Sequence, residues 1–168
     1  RGDCEEFSLS GLLLNADTAI EIFNPSPLIT ASLYRLLLAI LHRNFGPQRK
    51  EEWQNLWREG RVQLDKSKLA NYLSKWHHRF NLFDSQRPFY QCASVPVSIT
   101  DSRGKIKSYK KPIANLAHEL ASGDNATLFD HSVEANPKAV SPAEGARLLV
   151  AFQSFAVGGL ITRVEGEG

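Results

Sequence analysis

Methionine is absent from this 168-residue chain, and cysteine occurs only at Cys4 and Cys92. Two cysteines form at most one bridge, which excludes a secreted scaffold held by several disulfides and favours a reducing cytoplasm. The missing methionine, together with an end at Glu165–Gly168 that predicts neither helix nor strand, favours a piece of a longer protein. The length is enough for one domain with a real core.

The sequence also lacks the short motifs of common enzymes. It contains no nucleophile elbow, no phosphate-binding loop, no dinucleotide-binding glycine pattern and no cysteine pair at zinc spacing. Adjacent His77 and His78 point in different directions on a helix, so they are poor joint metal ligands. We predict no catalytic residue, no metal and no cofactor. One enzymatic alternative stays open: a metal-dependent nuclease or hydrolase using Asp84, Asp130 and His131, although nothing in the sequence brings them together.

The longest apolar stretch, Ser26–Arg43, is hydrophobic on nearly every side at helical spacing. Such a helix must be buried in a core or in lipid. Thr30 and Arg35 interrupt the run, whereas a bilayer needs about 20 consecutive apolar residues, so we expect no membrane partner. Ser26 is a good N-cap before a proline. The stretch predicts a central buried helix, with Leu37 in its packed centre.

Two further helices are predicted next to this one. Gln48–Glu59 is amphipathic and carries two tryptophans, Trp53 and Trp57, on one stripe. Asp65 can cap a third helix, on which Trp76 follows the same helical period. Because the tryptophans obey this period, we interpret them as core packing. The alternative is that they are platforms on which bases stack.

The pattern then changes to strand-like alternation. Ala93–Thr100 and Lys105–Tyr109 predict two strands joined by a turn at Asp101–Gly104, which makes the chain an α+β, helix-rich mixed domain with a small antiparallel sheet or hairpin. The net charge is only +2, but this hairpin concentrates cations. We call them the basic ribbon: Arg103, Lys105, Lys107, Lys110 and Lys111. The ribbon predicts contact with nucleic-acid phosphate, either in a specific assembly or in a generic single-strand-binding module; the alternative is a solvated hairpin tip.

Less regular sequence follows the hairpin. Pro112–Ala121 predicts a short helix, and Asp124–Val140 predicts a long loop, a type of segment that is often functional. Ser141 and Glu144 form a capping box that opens a last helix through Phe152.

Several motifs resemble a known family when taken in order. They are PSPLITASLYRLLLAILHR at 25–43, Phe80–Asp84, Pro88–Gln91, Ala126–His131 and Phe152–Leu160. Together they are similar to the CasA family, the large subunit of the type I-E CRISPR surveillance complex Cascade. The resemblance covers nearly the whole chain but well under half of the family's usual length. It implies that residues 1–168 are part of an N-terminal domain, without the C-terminal four-helix bundle.

The resemblance also implies a function. Members of this family are non-catalytic, cytoplasmic subunits of an RNA-guided antiviral complex that recognise a short motif beside the double-stranded DNA target. The implied partners are other Cascade subunits, guide RNA, target DNA and a separate helicase–nuclease.

Two site predictions follow from the resemblance alone. A family loop that reaches the guide RNA and the target-flanking motif corresponds to Thr127–Ala143. The contacting residues implied at its start are Thr127, Leu128, Phe129, Asp130 and His131. A glycine-containing loop along the minor groove corresponds to Gly158 and Gly159. The alternatives are that Phe129 anchors its loop in the core and that the glycines end a helix.

Overall fold

The computed structural model describes residues 4–59, 64–93, 98–100, 102–108, 113–117 and 139–156. The chain forms two compact units, Arg1–Phe80 and Asn81–Gly168. Among the described residues, helices outnumber strands in both units, which agrees with the predicted helix-rich class. The first unit contains α1 (Leu9–Leu14), α2 (Pro27–Phe45), α3 (Lys50–Glu59), α4 (Lys66–Trp76) and a 3-10 helix (His77–Phe80). The second contains β1 (Ser98–Thr100), β2 (Ile106–Ser108), a 3-10 helix (Ile113–Leu116) and α5 (Pro142–Phe155).

The predicted helix starts are confirmed by their capping bonds. The Ser26 hydroxyl accepts a hydrogen bond from the Ile29 amide at the start of α2. An oxygen of the Asp65 carboxylate accepts from two amides in the first turn of α4, at 2.9 and 3.0 Å. The Ser141 hydroxyl accepts from the Glu144 amide at 3.2 Å and opens α5. Each cap satisfies amides that have no partner within the helix.

The core of the first unit forms where α4 packs against α1 and α2. Its buried members are aliphatic: Leu13, Ile40, Leu69 and Leu73. Leu69 lies at the centre, because none of its surface is exposed. Partly buried side chains from α2, including Leu36 and Leu37, complete the cluster.

The prediction that α2 is buried on all sides is wrong. Leu38 is 65% exposed and Tyr34 is also exposed, while Leu37 is only partly buried at the edge of the core cluster. The buried positions, such as Ile29 and Ile40, lie on one side of the helix. The core therefore covers one arc of α2 rather than surrounding it.

The core prediction for the tryptophans is also wrong for two of the three. Trp53 and Trp57 on α3 are 54% and 76% exposed. Trp76 is partly buried and lies beside Tyr72, with ring centroids 6.4 Å apart. Helical spacing shows that Trp53 and Trp57 share a face, but it does not provide a neighbour to cover that face.

In the second unit α5 is buried along one whole turn, at Leu148, Leu149, Val150 and Ala151. The 3-10 helix Ile113–Leu116 packs against α5 near Gly145. It replaces the first part of the helix predicted over Pro112–Ala121, and Ala117 is outside it; the remainder of that prediction lies outside the described residues.

A short connection, residues 46–49, separates α2 from α3. Gly46 follows the last residue of α2 with φ −61° and donates its amide hydrogen to the main-chain oxygen of His42. A Cβ atom on Gly46 would collide with that same oxygen. Crowding at the helix end therefore requires glycine here.

Among the described residues, no helix combines the length and hydropathy that a bilayer crossing requires.

Candidate nucleic-acid interface

The basic ribbon begins at the turn between β1 and β2. The two strands pair antiparallel, with Thr100 opposite Ile106 and Ile99 opposite Lys107. Residues 101–105 connect them, and Gly104 has φ +77° in the left-handed region that suits glycine. Ser98, Thr100 and Ile106 are exposed on the face that they share by register. The hairpin is therefore open to solvent at these three positions.

Of the five cations in the basic ribbon, the structure describes two with their exposure and a third only by its place in a strand. Arg103 and Lys105 are exposed at the turn, and Lys107 lies in β2. Lys110 and Lys111 lie outside the described residues. The shared face predicted for Lys105, Lys107 and Tyr109 stays a prediction, because Lys105 precedes β2 and Tyr109 is not described. Two exposed cations on one turn can contact adjacent phosphates.

The other predicted site loops lie outside the described residues. This holds for Thr127, Leu128, Phe129, Asp130 and His131, and equally for Gly158 and Gly159. Their proposed roles stay predictions.

A loop at 81–92 contains Asp84, the one described member of the acid–base group that the sequence left open. One oxygen of its carboxylate accepts hydrogen bonds from the amides of Gln86 and Arg87, at 2.9 and 2.7 Å. This bonding makes Asp84 a turn-forming residue of the loop. The structure does not bring it together with Asp130 or His131, which it does not describe.

The same loop holds an aromatic residue that the sequence analysis did not single out. Phe83 is 75% exposed, and its amide donates to the side-chain oxygen of Asn81. Asn81 also accepts from the Phe89 amide through its main-chain oxygen, at 2.9 Å. The asparagine before Phe83 is the sequence signal that could have predicted this turn.

Tyr90 has φ 55°, an unusual value for a residue other than glycine. The loop around it is tightly bonded: the Gln91 side-chain amide donates to the Leu82 oxygen at 3.0 Å. The ring of Phe89 meets the Tyr90 ring edge-on, with centroids 4.7 Å apart. These contacts hold Tyr90 in its strained conformation.

The histidine pair is exposed at the end of the first unit. His77 and His78 lie in the 3-10 helix, and the His78 ring stacks beside Trp76 at 6.1 Å. No group of three potential metal ligands occurs among the described residues.

Electrostatic shifts are found at two surface carboxylates of the first unit. Hydrogen bonds from the Gln48 amide and the Arg49 side chain lower the pKa of Glu52. A hydrogen bond from Lys66, 3.1 Å away, lowers the pKa of Asp17. Both are exposed interactions that favour the ionised carboxylate.

Exposed cations at a hairpin turn, here Arg103 and Lys105, are typical of a binding surface. The family model described as CRISPR-associated protein Cse1 matches residues 1–168, and the chain belongs to this family. This confirms the resemblance found in the sequence.

A curated relative and two solved structures agree with this assignment. The chain is 39% identical over 163 residues to CRISPR-associated protein CasA/Cse1 of Thermus thermophilus, covering 96% of this chain and 30% of the relative. A structure of Thermus thermophilus CasA (Cse1) matches with 33% identity and a TM-score of 0.65, over 94% of this chain and 28% of that one. A crystal structure of CasA from the same organism matches with 34% identity and a TM-score of 0.55, over 85% and 25%. The chain thus spans less than a third of the length of these relatives.

Proposed function

We propose that this protein is a non-catalytic subunit of Cascade, the RNA-guided antiviral DNA surveillance complex. The observation that carries this proposal is the 39% identity to CasA/Cse1, which extends over 96% of the chain. Its partners would be the other Cascade subunits and the guide RNA. In such systems base pairing reads the target, while protein reads only a short flanking motif and helps to open the duplex.

The proposed specific task is recognition of the target-flanking motif in double-stranded DNA. The residues assigned to it are Thr127–His131 at the start of the loop Thr127–Ala143, with Phe129 as a wedge between base steps and its polar neighbours at the groove edges. Gly158 and Gly159 would let a second loop approach the minor groove closely, because they carry no side chain. After recognition, the subunit would help to recruit a separate helicase–nuclease.

The basic ribbon has a different role in this proposal. Arg103 and Lys105 are exposed at its turn, where they would neutralise phosphate charge without reading sequence. The ribbon would raise affinity for any duplex, and Thr127–His131 would add preference for the correct motif.

The test is carried out on the full-length protein expressed with its own guide RNA and partner subunits. We expect the protein to co-purify with a complex that contains the guide RNA, and the complex to bind motif-bearing duplex more tightly than motif-less duplex. Phe129→Ala should weaken binding to the motif-bearing duplex by a few kcal/mol at most. Binding to the motif-less duplex should change much less, because it is mainly electrostatic.

Phe83→Ala is the matched control, because it removes an exposed phenylalanine outside the proposed loop. Equal losses on both duplexes for Phe129→Ala, together with a lower melting temperature, would show that Phe129 is core packing. DNA cleavage by the purified protein on addition of a divalent metal would replace the proposal with a nuclease.

A further inference from the structure

The two exposed tryptophans of α3 form a stacked pair. The ring centroids of Trp53 and Trp57 are 5.9 Å apart and the ring planes differ by 17°. Trp57 is the more exposed of the two, so Trp53 covers one side of its indole and leaves the other open. A third flat ring can extend this stack on the open side of Trp57.

The charged residue that shares a side of α3 with the tryptophan pair is a lysine, which suits an anionic ligand. Lys50 is exposed and lies three residues before Trp53, on the same side of the helix. Glu52 is the nearest acid along the chain, but its carboxylate is held by Arg49 at 2.8 Å and by the Gln48 amide at 2.9 Å. Arg58 follows Trp57 and is exposed. On the side of α3 that carries the stack, the nearest charged residue is therefore Lys50, whereas Glu51, Arg58 and Glu59 lie on other sides by helical spacing.

The exposed area of the tryptophan pair by itself is enough for a base but not for a protein partner. Fully buried aromatic side chains contribute about 150–250 Å² each, so two half-exposed indoles offer roughly 300 Å². A stable protein interface needs about 800 Å² from each partner. Single nucleobases need much less area, because stacking a base on one aromatic ring is worth about 1–3 kcal/mol.

We propose that Trp53 and Trp57 form a stacking platform for unpaired bases of single-stranded nucleic acid, with Lys50 beside it to contact phosphate. This site lies in the first unit and differs from the double-stranded motif reader proposed above. It rests on the geometry of α3 alone. Either proposal can therefore fail without the other.

The experiment measures fluorescence anisotropy of a labelled oligothymidylate of about 12 nucleotides, within the site sizes of known single-strand binders. The full-length protein is titrated into it at near-physiological salt. Trp57→Leu keeps an apolar side chain but removes the aromatic ring, whereas Trp57→Phe keeps a ring. We expect Trp57→Leu to weaken binding about tenfold and Trp57→Phe to stay within about threefold of the unmodified protein.

Phe83→Leu serves as the matched control, because it removes an equally exposed aromatic ring elsewhere; it should bind like the unmodified protein. Lys50→Gln should weaken binding and make it less salt-dependent. The proposal is overturned if the unmodified protein does not bind the oligonucleotide, or if Trp57→Leu binds as well as Trp57→Phe. A melting temperature lowered by Trp57→Leu would also overturn it, because it would show that the indole is packed inside the full-length protein.

Discussion

The side-chain amide of Gln153 donates a hydrogen bond to the main-chain oxygen of Tyr90, 3.3 Å away. This bond joins α5 to the loop 81–92 at the residue with φ 55°. It is one of the contacts that hold Tyr90 in a backbone conformation that non-glycine residues rarely adopt. The loop is therefore fixed from α5 as well as by its own turns.

At position 90 we expect glycine to give a more stable protein than alanine, which is the reverse of their usual order of stability. Left-handed backbone costs an L-residue about 1–2 kcal/mol, and glycine escapes this cost. We expect Tyr90→Gly to be more stable than Tyr90→Ala by about 1 kcal/mol, measured by denaturant unfolding. Ala39→Gly, on the exposed side of α2, is the control and should lose about 1 kcal/mol. A Tyr90→Ala variant as stable as Tyr90→Gly would show that φ is negative in solution.

The core of the first unit can be tested with two leucines of opposite exposure. Leu69 is fully buried between α1 and α2, so Leu69→Ala should cost about 2–5 kcal/mol of unfolding free energy through reduced burial and a cavity. Leu38→Ala makes the same chemical change on the exposed side of α2 and should cost less than about 0.5 kcal/mol. A large loss for Leu38→Ala in the full-length protein would show that another part of that protein covers this side of α2.

The pKa of Glu52 should lie below the ordinary value of a glutamate, because two hydrogen-bond donors stabilise its carboxylate. The Gln48 amide is the larger cause and the Arg49 side chain the second. Arg49→Ala should therefore raise the pKa of Glu52 only part of the way, as followed by NMR titration of its carboxyl carbon. Arg58→Ala, which removes the arginine in the last turn of α3, should leave the titration unchanged.

The sign of the pH effect follows from the lowered pKa of Glu52. Folding favours the ionised form, so the stabilisation is present above the unfolded-state pKa of about 4.3 and is lost as the pH falls through the lower folded-state value. If Arg49→Ala returned Glu52 fully to its ordinary pKa, the hydrogen bond from Gln48 would not exist in solution.

Removing the turn cations should flatten the salt dependence of DNA binding. Arg103→Ala with Lys105→Ala should weaken binding to every duplex sequence, and the slope of log affinity against log salt should fall by roughly one for each phosphate that is no longer neutralised. The control changes two cations on α4, Lys68 and Lys75, which lie over the rings of Phe45 and Trp76. An unchanged slope for the turn variant would identify the ribbon as a solvated hairpin.

Local signals in the sequence predicted helix starts well, because a cap acts over three or four residues. Ser26, Asp65 and Ser141 were each expected to accept a hydrogen bond from the first turn, and each does so. The periodic spacing of Leu148, Leu149 and Phe152 predicts that all three are buried on α5. Leu148 and Leu149 are buried, but Phe152 is only partly so. The family could be recognised from its motifs alone, as the match over residues 1–168 shows.

Burial was harder to predict, because it depends on neighbours distant in the sequence. Because apolar residues occur on nearly every side of α2, we predicted that the whole helix is buried. Leu38 is nevertheless exposed. Trp53 and Trp57 obey the same period as core residues, and only the fold shows that the described chain leaves them uncovered. Phe83 was overlooked for the same reason, since its exposure depends on the bonding of a whole loop. The residues proposed to read the motif are not among those described, so their roles depend on the family resemblance.

Gly46 and Gly104 are both poor positions for L-alanine, but for different reasons. Gly104 has φ +77° and open space where a Cβ would lie. L-alanine is therefore disfavoured there by the backbone conformation and not by a clash. A D-amino acid prefers positive φ, and D-alanine introduced there by chemical synthesis would match the turn that presents Arg103 and Lys105. At Gly46 the backbone already suits an L-residue, with φ −61°, but His42 occupies the space. The backbone at Gly104 can thus accept a D-residue. At Gly46, by contrast, a side chain fits only if the end of α2 moves.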